Sequence, residues 1–209
     1  MKLSLKHGTS LPLLPALCVL VACQGEAPTP DENATGDVSI IATSQFDPAR
    51  EAAQTLGQSL KAELVAAMRE GGPSAAIHVC NERAPEIAST VSGDAGMDVG
   101  RTALRVRNPD NAPDAWETAQ LESFLELISA GATPAEIEAV DIVETVDGTR
   151  LRWMKPIMMD DVCVACHGTE VDPGLLTEIQ TLYPEDAATG FEPSQLRGAF
   201  TVTLPYASE

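Results

Sequence analysis

The sequence predicts an α+β fold in a single domain, with helices first and an antiparallel sheet after them. Three observations support this class: apolar residues recur at helical spacing early in the chain, residues alternate with a period of two later on, and the strand-helix alternation typical of parallel sheets is missing. A length of 209 residues suits one domain with a sizeable core. The net charge of −18 would repel phosphate backbones and anionic headgroups, so nucleic-acid binding is not expected.

Residues 1–22 are interpreted as a signal peptide. Two lysines precede an apolar run at residues 11–22, and about 12 residues are too few to cross a bilayer as a helix. The run ends in LVAC, which resembles a bacterial lipobox, in which the cysteine is lipidated and becomes the new N-terminus. Cys23 is therefore predicted to carry lipid, with ordinary cleavage nearby as the alternative.

Residues 23–43 are acidic and contain proline, and they are interpreted as a flexible tether. Residues 44–209 remain as the folded domain. Gln24, directly after the lipidated cysteine, resembles the signal that sends lipoproteins to the outer membrane. The sequence thus predicts a lipid-anchored protein on the periplasmic face of a membrane and favours the outer one.

Proline and glycine mark the helices that the sequence predicts. The first helix starts at Asp47 as its N-cap and ends at Gly71 and Gly72. The second carries Cys80, whose sulfur is predicted to face inwards because Ala76 and Ile77 lie one turn before it. Pro73 opens this second helix, and further helices are expected from the prolines at residues 85 and 113, the last of them ending near residue 131, with one helical turn at residues 133–136.

Alternation and turn residues mark the predicted strands. The stretch RTALRVR at residues 101–107 alternates, which places Arg101, Arg105 and Arg107 on one face. Residues 141–146 and 150–157 are joined by an Asp-Gly pair, a strong hairpin signal. Residues 198–204 alternate again and are predicted to form the last strand.

Cys163, Cys166 and His167 form a Cys-X-X-Cys-His motif. Two thiols at this spacing can bond to the two vinyl groups of one haem while the adjacent imidazole reaches the iron. The motif therefore predicts one covalent haem c, with Cys163 and Cys166 as attachment thiols and His167 as an axial ligand. The alternatives are a redox disulfide and a zinc site that Cys80 and either His78 or His167 would complete.

The second axial position has several candidates, because none of the residues after His167 is Met, His or Cys. Cys80 is the one thiol left over once Cys18 leaves with the signal peptide, Cys23 takes lipid and the motif takes haem. Iron ligation and simple burial both explain such a thiol. His78 lies two residues away on the predicted helix and would point to the opposite side. The further candidates are water, no ligand at all, and the upstream methionines Met68, Met97, Met154, Met158 and Met159.

Five ordered motifs resemble a known family. The stretches AIHVCNERAPEIA, RVRNPDNAPDAWE, PIMMDDVCVACHG, YPEDAATGF and RGAFTV begin at residues 76, 105, 156, 183 and 197. They are similar to successive motifs of the bacterial family of PAS-like c-type haem domains of unknown function, and the resemblance covers residues 45–205. Residues 192–195 depart from the family pattern, which tends to have a Gly-Asp turn there.

The resemblance implies a PAS-like fold, in which a five-stranded antiparallel sheet is flanked by helices. It also implies that His167 and Cys80 are the axial ligands of the haem iron. Arg101, Arg105 and Arg107 are interpreted as partners of the haem propionates, because a guanidinium pairs with a carboxylate through two parallel hydrogen bonds. A solvated basic strand face is the alternative.

These residues favour a haem-based redox or small-ligand sensor, in which reduction or a gas such as NO or CO displaces Cys80. The alternatives are a single-haem electron carrier, whose two ligands stay in place, and a haem-free thiol-disulfide or zinc module. No convergent acid, base or nucleophile accompanies the motif, so the chain is not expected to be an enzyme. The sequence shows no output domain, so a sensor of this kind is expected to act through a periplasmic redox or signalling partner.

Overall fold

The structure is a computed structural model, and it describes residues 43–206. The predicted signal peptide, the lipidation site Cys23 and all but the last residue of the predicted tether lie outside these described residues. Within residues 43–206, no helix combines the length and the apolar character that crossing a bilayer requires.

Four antiparallel strands form the sheet of the described domain, in the order β1-β4-β3-β2. Their bounds are β1 Asp98–Thr102, β2 Ala139–Thr145, β3 Gly148–Met158 and β4 Leu196–Pro205. The α+β class and the antiparallel sheet are confirmed, as is the hairpin of β2 and β3. The expectation of five strands is wrong for the described residues, because the long segment between β3 and β4 forms short helices and loops and adds no strand to the sheet.

Helix α1 spans Asp47–His78 and is kinked at Gly72, whose φ of 70° and ψ of −161° are not helical. This kink lies where the sequence predicts one helix to end and the next to begin. Phe46, not Asp47, occupies the N-cap, because a 3-10 turn at Thr43–Phe46 leads into the helix.

A π-helical turn, Val79–Arg83, joins α1 directly to α2, Ala84–Ala95, where the sequence predicts separate helices. The Ala84 N–H donates to the Val79 carbonyl, five residues earlier. A widened turn accommodates Pro85, whose ring in a regular α-helix would clash with the carbonyl four residues before it. Cys80 lies within this turn.

Helices cover both faces of the sheet. On one face α1 and α2 pack on Trp153 and Val202, and Leu56 of α1 is fully buried there. On the other face α3, Ala115–Ser129, packs Leu121 and Phe124 on Met154. Trp153 and Met154 are neighbours on β3 that face opposite ways, as the two-residue period of a strand requires. The core therefore has two layers, one on each side of the sheet.

The predicted strand at residues 101–107 is only partly correct, because β1 ends at Thr102. Leu104, on the apolar face of the predicted strand, is 41% exposed. After Thr102 the chain leaves the ladder and contacts the segment around Ala187, whose N–H donates to the Val106 carbonyl at 2.9 Å. The three arginines of this stretch therefore do not share one strand face.

Candidate functional site

A cavity of about 350 Å³ lies at one end of the sheet, within the size range of cofactor sites. The C-terminal ends of β1 and β3 and the start of β4 meet there, since Thr102 pairs with Ala199 and Ile157 pairs with Gly198. Helix α1 contributes Leu60, Leu64 and Met68 to its wall. The charged and thiol side chains of the lining are Lys61, Cys80, Arg101, Arg107, Asp160, Cys163, Cys166 and Arg197, together with His167.

The Cys-X-X-Cys-His motif folds into one short helical segment at this cavity. A 3-10 turn, Asp161–Cys163, leads into α4, Val164–His167, and the Asp160 side chain caps the turn by accepting from the Asp161 N–H. A spacing of three residues on a helix places Cys163 and Cys166 on the same side. Both are half-buried free thiols and both line the cavity. The motif thus presents two thiols and an imidazole to one space.

The His167 imidazole is fixed in one orientation and one protonation state. Its Nδ1 lies 2.6 Å from the Ala188 carbonyl oxygen. Because a carbonyl oxygen only accepts, Nδ1 must carry a hydrogen, so in the neutral imidazole Nε2 is the unprotonated nitrogen. Burial, reinforced by the positive charges of Arg197 and Arg107, lowers the pKa of His167 well below its ordinary value. A neutral imidazole with a free Nε2 is the form that binds a metal.

Cys80 reaches the same cavity from the π-helical turn, as the predicted inward-facing sulfur requires. It is half-buried and packs with Cys166 against a cluster that includes Ile77 and Ile179. Burial raises the pKa of the Cys80 thiol, and three nearby guanidinium groups oppose this shift. His78 points elsewhere: it is half-exposed, and its Nε2 lies 3.1 Å from Oε1 of Glu178.

The five methionines considered as axial ligands separate into two groups. Met68 and Met158 line the cavity. Met97, Met154 and Met159 pack in three different hydrophobic clusters. Cys80, Met68 and Met158 are therefore the cavity-lining donors among the candidates that the sequence left for the second axial position.

Arg107 is buried and joins three parts of the chain near the motif. Its Nε donates to Oδ1 of Asp186 at 2.9 Å. Its Nη2 donates to the carbonyls of Cys166 at 2.7 Å and Ala188 at 3.3 Å. Arg107 thus holds the end of the motif against the same segment that orients His167.

The other arginines near the site have different surroundings. Arg105 is exposed, lies 4.0 Å above the Phe191 ring and does not contribute to the cavity wall. Arg101 lines the cavity from β1. Arg197 lines it too, although the sequence analysis did not select it; its position at the start of the RGAFTV motif was the available signal.

The donor set suits a haem better than a bare metal ion. Among residues 43–206, no three His, Cys, Asp or Glu side chains lie close enough together to hold a metal by themselves, so the zinc alternative has no ligand cluster there. Haem iron needs only one or two protein donors, and covalent attachment needs two thiols. The two motif thiols, the free Nε2 and the partly apolar wall meet these needs.

Comparisons with known proteins agree with the fold. Residues 32–205 match the family model described as Tll0287-like. Among solved structures, the crystal structure of the cyanobacterial haem-protein Tll0287 is similar, with a TM-score of 0.59 and 23% sequence identity over 80% of this chain and 98% of that chain. At this identity the structural likeness supports the fold alone. No curated protein matches the chain.

Proposed function

We propose that this chain, which belongs to the Tll0287-like family, binds one haem covalently through Cys163 and Cys166. We further propose that His167 and Cys80 are the two axial ligands of its iron. The observation that carries the proposal is convergence: the motif and a thiol more than 80 residues earlier line the same cavity. The similar solved structure is that of a haem-protein, which supports the haem-binding part of the proposal.

The protein's own residues would prepare both sides of the iron. The Ala188 carbonyl holds Nδ1 of His167, so that Nε2 is free to bind. Burial raises the pKa of the Cys80 thiol, and the positive charges of Arg101, Arg107 and Arg197 oppose this rise and so favour the thiolate that iron binds. Haem bound here would supply one-electron chemistry, and thiolate ligation stabilises the ferric state and gives a low reduction potential.

We propose that the domain is PAS-like and acts as a redox or small-ligand sensor. Cys80 lies in a π-helical turn between two helices that pack on the sheet, and such turns often occur at functional sites. Release of Cys80 on reduction, or its displacement by NO or CO, would free this turn to change its hydrogen bonds. The partner would be a periplasmic redox or signalling protein, reached from a lipid anchor at Cys23 on the outer membrane. We assign no catalytic activity.

Replacement of the attachment thiols tests the haem assignment. The double variant with Cys163→Ser and Cys166→Ser, expressed in the periplasm with the c-type maturation machinery, should lose all haem that resists acid-acetone extraction. The wild-type protein should retain it. Resistant haem in the double variant, or none in the wild type, would overturn the proposal.

A Cys80→Ser variant tests the second ligand. It should keep covalent haem but change the ferric electron-paramagnetic resonance spectrum towards high-spin or His/water ligation. Met68→Leu and Met158→Leu are matched controls, because both side chains line the same cavity, and they should leave the spectrum unchanged. An unchanged Cys80→Ser spectrum together with an altered methionine variant would assign the position to that methionine.

Two further measurements test the role and the location. In the wild type, loss of the thiolate spectrum on reduction supports the sensor, whereas two ligands that persist in both redox states support an electron carrier. A Cys23→Ser variant should leave the membrane fraction, and continued membrane association would contradict the lipid anchor.

A further inference from the structure

Only some of the positively charged side chains of the cavity wall have a carboxylate partner. Lys61 pairs with Asp160, whose Oδ2 lies 2.7 Å from its Nζ. Arg107 pairs with Asp186, and the side chains of this pair are only 7% and 3% exposed. Arg101 and Arg197 also line the cavity and are half-buried. In the part of the chain that the structure describes, neither of these two has a carboxylate within salt-bridge distance.

Both of these guanidinium groups occupy an unfavourable environment. Burial lowers the pKa of Arg101, and burial lowers the pKa of Arg197 to about 10, with Arg107 and Arg101 adding repulsion. The one hydrogen bond that Arg197 makes among the described residues is to a neutral acceptor, the Arg105 carbonyl at 3.1 Å. Asp186 offsets only part of this cost for Arg197. A half-buried cation with no carboxylate in direct contact costs free energy, which an anion in the cavity would recover.

We propose that Arg101 and Arg197 bind the two propionate carboxylates of the haem. This inference rests on the proposed function. Haem brings two carboxylates, and the cavity offers two cations that have no carboxylate partner. Guanidinium binds carboxylate through two parallel hydrogen bonds, which is a stronger contact than a lysine provides. Arg101 on β1 and Arg197 on β4 come from neighbouring strands at the sheet end that borders the cavity.

The assignment changes the set of arginines that the sequence pointed to. Arg105 is exposed and lies over Phe191, outside the cavity wall. Arg107 already has its carboxylate in Asp186 and two carbonyl acceptors. Of the three arginines that the sequence suggested as propionate partners, only Arg101 is retained, and Arg197 takes the place of Arg105 and Arg107.

Redox titration of the mature haem-containing protein tests the assignment. Arg101→Gln and Arg197→Gln each remove a positive charge near the iron, which should favour the ferric state by about tenfold. A tenfold change in a one-electron equilibrium corresponds to a reduction potential lower by about 59 mV. Arg105→Gln is the matched control, because its guanidinium is exposed to solvent and screened, and its potential should stay at the wild-type value.

A second readout does not depend on the glutamine variants folding. Arg101→Lys and Arg197→Lys keep the charge but lose the two-bond geometry, so they should shift the propionate bending bands in resonance Raman spectra. Arg105→Lys should leave these bands in place. Wild-type bands and potentials in both Arg101 and Arg197 variants would overturn this inference while leaving haem binding intact. A wild-type protein without covalent haem would instead overturn the proposed function itself.

Discussion

Removing the charge of Asp186 should destabilise the domain strongly, because this carboxylate balances a buried cation. It accepts from Nε of Arg107 at 2.9 Å and from Nη2 at 3.3 Å, and their side chains are 3% and 7% exposed. The Asp186→Asn variant keeps the shape of the side chain and leaves the guanidinium without a counter-charge. Breaking a buried pair from one side costs about 3–5 kcal/mol. Arg107 still donates to two carbonyls, so we expect the lower end, about 3 kcal/mol.

Urea unfolding of the mature protein, followed by far-UV circular dichroism, measures this loss. With a denaturant slope of about 2 kcal/mol per molar urea, the midpoint should fall by about 1.5 M. Asp160→Asn is the matched control, because it makes the same chemical change in an exposed pair with Lys61, where solvent screens the charges. Its midpoint should stay close to that of the wild type. If both variants shift the midpoint equally, burial does not set the strength of the Arg107–Asp186 pair and the reasoning fails.

Two further variant sets test the packing and the acid stability of the domain. Gly198→Ala should lower the melting temperature, because a Cβ there would collide with the Thr102 carbonyl oxygen. Gly93→Ala in α2 places its Cβ in open space and should stabilise the domain by about 0.5–1 kcal/mol. A higher melting temperature for Gly198→Ala than for Gly93→Ala would contradict this. Burial alone would raise the pKa of Glu138, but hydrogen bonds from Arg50 and Trp153 outweigh it and lower the pKa. Its stabilising effect is therefore present at neutral pH and lost as the pH falls below about 4.3 and through the folded pKa, and Glu138→Gln should flatten the acid side of the stability curve. An unchanged acid slope in that variant would refute this assignment.

Local chain chemistry was enough to predict where the β2–β3 hairpin turns and where the first helix is interrupted. Gly148 follows a two-residue turn and has a φ of 112°, a conformation that glycine adopts without steric cost. Gly72, with a φ of 70°, interrupts the first helix where the Gly-Gly pair predicted an end. These positions were predictable because one residue's backbone preference decides the conformation whatever lies around it.

The features that sequence reasoning missed are decided by distant parts of the chain. Residues 101–107 alternate like a strand, yet Val106 bonds to Ala187, about 80 residues away, and the strand stops at Thr102. Apart from its place at the start of the RGAFTV motif, nothing local separates Arg197 from a surface arginine, because its position in the cavity depends on how β4 pairs with β3. Periodicity in the sequence indicates the local backbone conformation, whereas these tertiary contacts determine which side chains reach the cavity.

The topology connects the proposed iron ligands to two different layers of the domain. A hydrogen bond joins the two ends of the segment between β3 and β4, since the Met159 N–H donates to the Gln195 carbonyl at 2.8 Å. A second one joins the segment to itself beside the motif, where the Phe191 N–H donates to the His167 carbonyl at 2.9 Å. His167 therefore lies in a segment that is anchored at both ends to the two central strands, β3 and β4, whereas Cys80 lies between the helices that cover one sheet face.

Iron bound by both residues would thus cross-link the helical layer to the centre of the sheet. Dissociation of Cys80 from the iron would remove this link. His167 would stay in place, because the Ala188 carbonyl that holds its imidazole belongs to the same segment between β3 and β4. A sensor should therefore show greater hydrogen exchange in the Val79–Arg83 turn on reduction, with exchange in β3 and β4 unchanged. An electron carrier should show the same exchange in both redox states, since a persistent link keeps both layers fixed.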